Sequence, residues 1–120
     1  MIGFVTLGSR DKQRAGAFYD AILGTLGAKR VEGRRGRLLA WVKGDVTLYI
    51  GDPHNGEPAT VGNGVMVALR ASSRKQVDEL HAMALELGGS DEGAPGERGS
   101  DFYGGYFRDP DGNKLVFFSS

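Results

Sequence analysis

The chain has no cysteine, few prolines and only two histidines among 120 residues. Without cysteine there are no disulfides, no thiolate nucleophiles and no zinc–sulfur sites, which suits a reducing cytoplasm. An excess of one charge is also missing, since 15 basic side chains balance 15 acidic ones. No global field therefore draws the chain to nucleic acid or to a membrane surface. No apolar run approaches the ~20 residues that a membrane span needs. The opening "MIGFVTLGSRD" lacks a basic segment leading into a sustained apolar stretch, so it does not read as a signal peptide. There is no Gly-x-Ser-x-Gly elbow and no phosphate-binding loop ending in Lys-Ser or Lys-Thr. The expectation is a cytoplasmic protein with neither nucleic acid nor membrane as a partner.

What is present is a strongly periodic chain, whose length predicts a single domain over 1–120. Residues 2–8 alternate as a strand. Ser9 or Asp11 can cap the helix that follows, with its apolar stripe at Ala15, Phe18, Tyr19, Ile22, Leu23 and Leu26 and its stop at Gly24 and Gly27. Strand-like runs follow at 28–32, 37–43 and 46–51, the last two joined by a tight Gly44-Asp45 turn. The order then restarts with a strand at 64–71. Ser73 and Gln76 form a capping box before a stripe of Val77, Leu80, His81, Ala84 and Leu87 that ends at Gly88-Gly89. The glycine- and acid-rich passage 88–101 reads as mostly loop, with at most a short strand, before strands at 103–108 and 113–119. The predicted fold class is α+β, two βαβββ modules over 1–52 and 64–120, joined by the turn-rich linker 53–63.

Alternation assigns faces. Val5 and Leu7, Val46, Leu48 and Ile50, Val65, Val67 and Leu69, and Leu115 and Phe117 form an aliphatic face suited to packing under two helices. The opposite parity carries Phe4, Thr6, Trp41, Thr47, Tyr49, Met66, Ala68, Arg70, Tyr106, Arg108, Val116 and Phe118. Aromatic groups mixed with a few hydrogen-bonding ones are the usual lining of a small-molecule pocket. Trp41, Tyr49, Phe4 and Phe118 offer flat apolar surface for a ring. Arg70 and Arg108 inside a cleft would favour a carboxylate or phosphonate.

The repeated pattern, the segment "FVTLGSRDKQRAGAFYDAILGTLGAKR" and the ending "GGYFRDPDGNKLVFF" resemble the vicinal oxygen chelate superfamily. That superfamily includes glyoxalase I, extradiol dioxygenases, and fosfomycin- and bleomycin-resistance proteins. The resemblance implies an eight-stranded curved mixed sheet around a cavity, helices on its outer face, in a homodimer. In metal-using members it implies a histidine in the first strand, a histidine in the first strand of the second module and a glutamate in the last strand. Carried onto this chain, those positions fall on Phe4, Met66 and Val116, none of which supplies a hard ligand. Their neighbours Gly3, Val5, Val65, Val67, Leu115 and Phe117 supply none either. The resemblance also places Tyr106 where fosfomycin-resistance members have a tyrosine facing their anionic ligand.

Other candidates read as structural. Asp109 and Asp111 sit in Asp-Pro-Asp-Gly, a turn composition whose spacing does not fit a calcium loop. His81 reads as packed on its helix, and the basic group Lys29, Arg30, Arg34, Arg35 and Arg37 as a solvated hairpin. His54 with Glu57 in the linker is a solvated turn, a displaced metal pair or a cap.

The reading is a small-molecule-binding protein without metal or other cofactor and without assigned catalytic residues. Its ligand-binding residues are Phe4, Thr6, Trp41, Tyr49, Met66, Arg70, Tyr106, Arg108, Val116 and Phe118. The alternative is a metal-dependent lyase or dioxygenase using non-standard ligands such as His54 and Glu57.

Overall fold

Strand, helix and three strands follow one another twice in the computed structural model, which describes all 120 residues. The first set is β1 (Phe4–Gly8), α1 (Lys12–Thr25), β2 (Lys29–Arg34), β3 (Leu38–Lys43) and β4 (Val46–Gly51). The second is β5 (Val67–Arg70), α2 (Arg74–Glu86), β6 (Ser90–Glu97), β7 (Tyr103–Arg108) and β8 (Lys114–Ser119). The chain divides into two compact units, Met1–Val61 and Gly62–Ser120, so each βαβββ module has its own core. Their strand orders correspond: β1-β4-β3-β2 in one sheet and β5-β8-β7-β6 in the other. In each, the first strand runs parallel to the last and the remaining pairs are antiparallel. Neither helix is long and apolar enough to cross a membrane.

Both helices start where their caps stand. Asp11 accepts from the Arg14 amide, and Ser73 from the Gln76 amide, each satisfying a first-turn N–H that has no helical partner. Gln76 reaches back to the Ser72 amide at 2.7 Å, one residue earlier than a standard capping box.

In the first module the buried set includes Phe18, Tyr19, Ile22, Trp41, Leu48 and Ile50. Trp41 corrects the expected parity, because it lies on the helix face and not on the open face. It is 2% exposed, packs against Tyr19 at 5.7 Å between ring centroids, and donates its indole N–H to Asp20 at 2.9 Å. The Arg30 guanidinium lies over its ring and pairs with the same Asp20. The cause is the Gly44-Asp45 turn, which pairs Lys43 with Val46 and so sets Trp41 opposite Leu48 of the aliphatic face.

In the second module, Val77 and Leu80 of α2 pack against the helix face carrying Phe107, Leu115 and Phe117, all fully buried. The Phe107 and Phe117 rings stack at 4.5 Å. His81 is buried in this module, as its place on the stripe implies. Its Nε2 lies 3.1 Å from Asp91 Oδ1 and 3.0 Å from the Tyr106 carbonyl. Both partners only accept, so Nε2 carries the proton.

Two glycines of β7 make room on opposite faces. A Cβ at Gly105 would lie 3.1 Å from the His81 ring on the helix side, and one at Gly104 would lie 2.7 Å from the Phe102 ring on the other.

Two boundaries differ from expectation. The passage read as mostly loop forms the eight-residue β6, whose Gly93, Pro95 and Gly96 are accommodated by register shifts along an edge strand. Conversely, β5 is shorter than expected, and Val65 and Met66 precede it.

Tyr103 ties β7 to α2, donating its hydroxyl to Asp78 at 2.6 Å. That hydrogen bond and the Asp78 charge hold its pKa above the ordinary phenol value of 10.0. A raised folded pKa means that the contribution is complete below pH ~10 and fades as pH rises through the folded value. Tyr103→Phe is therefore expected to melt below the parent at pH 8, with the gap closing above pH ~10 in paired thermal melts.

Candidate functional site

The surfaces left uncovered by the helices are the opposite faces of the two sheets. On the first module this face carries Phe4 and Thr6 of β1 with Thr47 and Tyr49 of β4, in the register Phe4–Thr47 and Thr6–Tyr49. Phe4 is 61% exposed and meets Tyr49 edge-on at 5.5 Å. The Arg34 guanidinium lies 5.3 Å from the Tyr49 ring centroid and donates to its hydroxyl at 3.2 Å. At the end of this face Thr6 lines a cleft of about 510 Å³ with linker residues Asn55, Glu57 and Thr60. Glu57 thus shares a cleft with an expected site residue, whereas His54 lines a neighbouring one.

The open face of the second module is richer. Across it Ala68, Val116 and Tyr106 form one row, and Arg70, Phe118 and Gly104 the next. Phe102 fills the space over Gly104 and stacks on Phe118 at 5.3 Å with the planes 6° apart. The Arg70 guanidinium also lies over Phe118, at 4.7 Å, and donates to the Ser120 hydroxyl. Two further cations lie over the Tyr106 ring, the Arg98 guanidinium at 5.6 Å and the Lys114 ammonium at 5.8 Å. Arg98 is held by the Ala94 carbonyl at 2.6 Å. Arg70, Arg98 and Lys114 have no carboxylate partner, and the Tyr106 hydroxyl has no hydrogen-bond partner in the protein. The face therefore joins flat apolar rings to uncompensated positive charge.

Arg108 differs. It has the expected parity, but its Nε donates to Glu92 at 2.9 Å and a terminal nitrogen to the Gly112 carbonyl, so its charge serves the turn.

That turn is structural, as its composition implies. Asp109 is buried and accepts from the amides of Asp111 and Asn113 through Oδ1 and from the Asn113 side chain through Oδ2. Gly112 takes the positive φ (+94°) that closes the reversal.

A model of the Glyoxalase/Bleomycin resistance protein/Dioxygenase superfamily matches residues 1–117. The chain belongs to this superfamily. A glyoxalase/bleomycin resistance protein from Albidiferax ferrireducens is 38% identical, with TM-score 0.91 over 98% of this chain and 97% of that one. A lactoylglutathione lyase from Agrobacterium tumefaciens is 26% identical, with TM-score 0.72 over 98% and 92%. A putative glyoxalase from Bacillus halodurans shares the fold at 23% identity, with TM-score 0.82 over 100% and 96%. No functionally curated protein matches the chain.

The residues present do not fit the divalent ion implied for metal-using members of the superfamily. Of the three implied ligand positions, Phe4 and Met66 are exposed hydrocarbon or thioether and Val116 is fully buried. Nowhere do three or more histidine, aspartate or glutamate side chains converge in a way that could hold a metal, and His54 with Glu57 gains no third donor. An ion there would meet no hard ligand to replace its hydration shell.

Arg98, Lys114 and Phe102 escaped the sequence reading. Lys114 was accessible by parity, two residues before Val116. Phe102 and Arg98 were not, because they flank a bulged strand whose glycines conceal its alternation.

Proposed function

We propose that this superfamily member is a metal-free small-molecule-binding protein, cytoplasmic and homodimeric, whose ligand is a small aromatic or anionic compound. The observation that carries the reading is Val116: at the position implied for the metal carboxylate stands a fully buried isopropyl group, between Ala68 and Tyr106. Phe4 and Met66 support it from two other segments.

The ligand class follows from the open face of the second module. Phe118 and Phe102 present parallel rings, and Arg70, Arg98 and Lys114 bring charge that no carboxylate of the protein neutralises. A planar acid would stack on the rings while its anionic oxygens meet a guanidinium, a contact that contributes about 1.5–3 kcal/mol. The free Tyr106 hydroxyl adds a donor. The open face of the first module, taken by itself, carries only neutral candidates, Phe4, Thr6 and Tyr49.

Elemental analysis after dialysis tests the metal-free part. The expected content is far below one ion per chain; a stoichiometric ion that is lost in His54→Ala would overturn it. A thermal-shift screen of benzoate and phenylphosphonate tests the ligand class, since a native-state ligand raises the melting temperature by mass action. Both are expected to stabilise the parent, and Arg98→Ala to lose most of that shift. A flat response across a broad panel of aromatic acids and phosphonates would defeat the binding reading.

A further inference from the structure

A second cleft lies where the parallel strands β1 and β4 end side by side. Beyond their last residues, Gly8 and Gly51, the Ser9 amide bonds the Gly51 carbonyl, and the linker turns back over the strand ends. This loop is pinned at both sides. The Asp52 amide donates to the Arg37 carbonyl at 3.0 Å, and Arg10 Nε donates to the Ala59 carbonyl at 2.6 Å. Ala59 is buried so closely over β1 that a Cβ at Gly8 would lie 2.7 Å from its own. Within the loop the Gly56 amide bonds the Pro53 carbonyl and Asn55 caps the Glu57 amide. A loop fixed in this way encloses a cleft of about 390 Å³, within the size range of small-molecule sites.

The lining is unevenly satisfied. Ser9 is 2% exposed; its Oγ accepts from the Asp11 amide, but no acceptor of the protein takes its hydroxyl proton. Arg37 gives one N–H to the Asp52 carbonyl and pairs with no carboxylate, and His54 has no partner. Of the two lining acids, Asp52 is taken by Lys12 at 2.8 Å, while the Glu57 side chain has no partner. Spare donors thus coexist with one spare acceptor. We propose that this cleft is a second ligand site, taking a small monoanionic carboxylic acid that carries a hydroxyl group. The carboxylate would be met by Arg37, His54 and the Ser9 hydroxyl, a charge-assisted set, and the ligand hydroxyl would donate to Glu57. The Glu57 charge disfavours a dianion by like-charge repulsion.

Amide NMR of the intact chain titrated with glycolate, acetate and inorganic phosphate, against sodium chloride at equal ionic strength, tests this. Glycolate is expected to give saturable shifts confined to Ser9–Asp11, Arg37 and 52–59, with a dissociation constant on the order of 1–10 mM for so few non-hydrogen atoms. Arg37→Gln should weaken glycolate about tenfold, the loss of one charge-assisted contact. Glu57→Gln should leave the fold intact and erase the preference of glycolate over acetate. Shifts that chloride reproduces, equal binding by Arg37→Gln, or tighter binding of phosphate than of glycolate would overturn the assignment. Shifts appearing only around Arg98, Tyr106 and Lys114 would also overturn it, while leaving the open-face reading standing.

Discussion

Trp41→Ala is expected to remove about 3–5 kcal/mol of stability, the range for truncating a fully buried tryptophan. The indole is 2% exposed between α1 and the sheet, and its removal opens a cavity beside Tyr19. It also takes away the donor to Asp20 and the ring beneath Arg30. Asp20 keeps its ion pair with Arg30 at 2.9 Å, so the electrostatic share is the smaller one. A single-domain stability of about 5–15 kcal/mol leaves little margin for such a loss. Trp41→Phe keeps most of the volume and should cost clearly less. Urea titration of both variants gives the ordering through the midpoint at constant slope. Because Trp41 lies on the helix face, Trp41→Phe should leave the affinity for an aromatic acid unchanged. A tenfold loss of affinity there would return Trp41 to the ligand-binding set.

Val116→Glu is expected to be comparably damaging at neutral pH. Val116 is fully buried, with Ala68 and Tyr106 beside it on neighbouring strands. A carboxylate there loses its hydration, at an effective cost of several kcal/mol, which Arg98 and Lys114 over the neighbouring Tyr106 ring offset only in part. Burial raises the folded pKa of such a group above its unfolded value of about 4.3. Stability is then lost as pH rises through the interval above the unfolded pKa, so the penalty should be smaller near pH 4 than at pH 7. Denaturant midpoints at the two pH values, each referred to the parent at the same pH, measure it. A midpoint unchanged at pH 7 would mean that a carboxylate is accepted at this position, undermining the reading of Val116 as filled space.

Much of this architecture was readable from residues because local signals agreed. Asp11 and Ser73 cap the helices, the two helical stripes bury the residues that periodicity selects except Leu26 (half-buried) and Leu87 (exposed) at the C-caps, and Asp109 closes its turn in the way Asp-Pro-Asp-Gly suggests. Trp41 shows where alternation alone fails. Taken by itself, the run Leu38–Lys43 has no marker for which parity faces the helix, because both parities are apolar. The hairpin does have one: a two-residue turn fixes the partner of every residue in the strand, and it sets Trp41 against Leu48. β6 failed for a different reason. A strand containing Gly93, Pro95 and Gly96 lacks the composition of a strand, and its pairing depends on β7, which composition cannot reveal. The open faces were legible as lists of residues and not as charge arrangements. That Arg108 is neutralised by Glu92 while Arg98 and Lys114 are left unpaired depends on side-chain contacts across a bulge.

The two glycines of β7 have a consequence for how sequences of this kind can drift. Gly104 leaves the volume that the Phe102 ring occupies, and Gly105 leaves the volume beside His81. Each glycine therefore shares its space with two side chains, Phe102 and Val116 at 104 and Pro95 and His81 at 105, and the two parcels lie on opposite sides of a single strand. A larger residue at 104 can become established only after, or together with, a smaller one at 102, and one at 105 needs room from both 81 and 95. Among related chains these positions should vary as linked sets, 102 with 104, and 81 and 95 with 105, and the two sets should vary independently of each other.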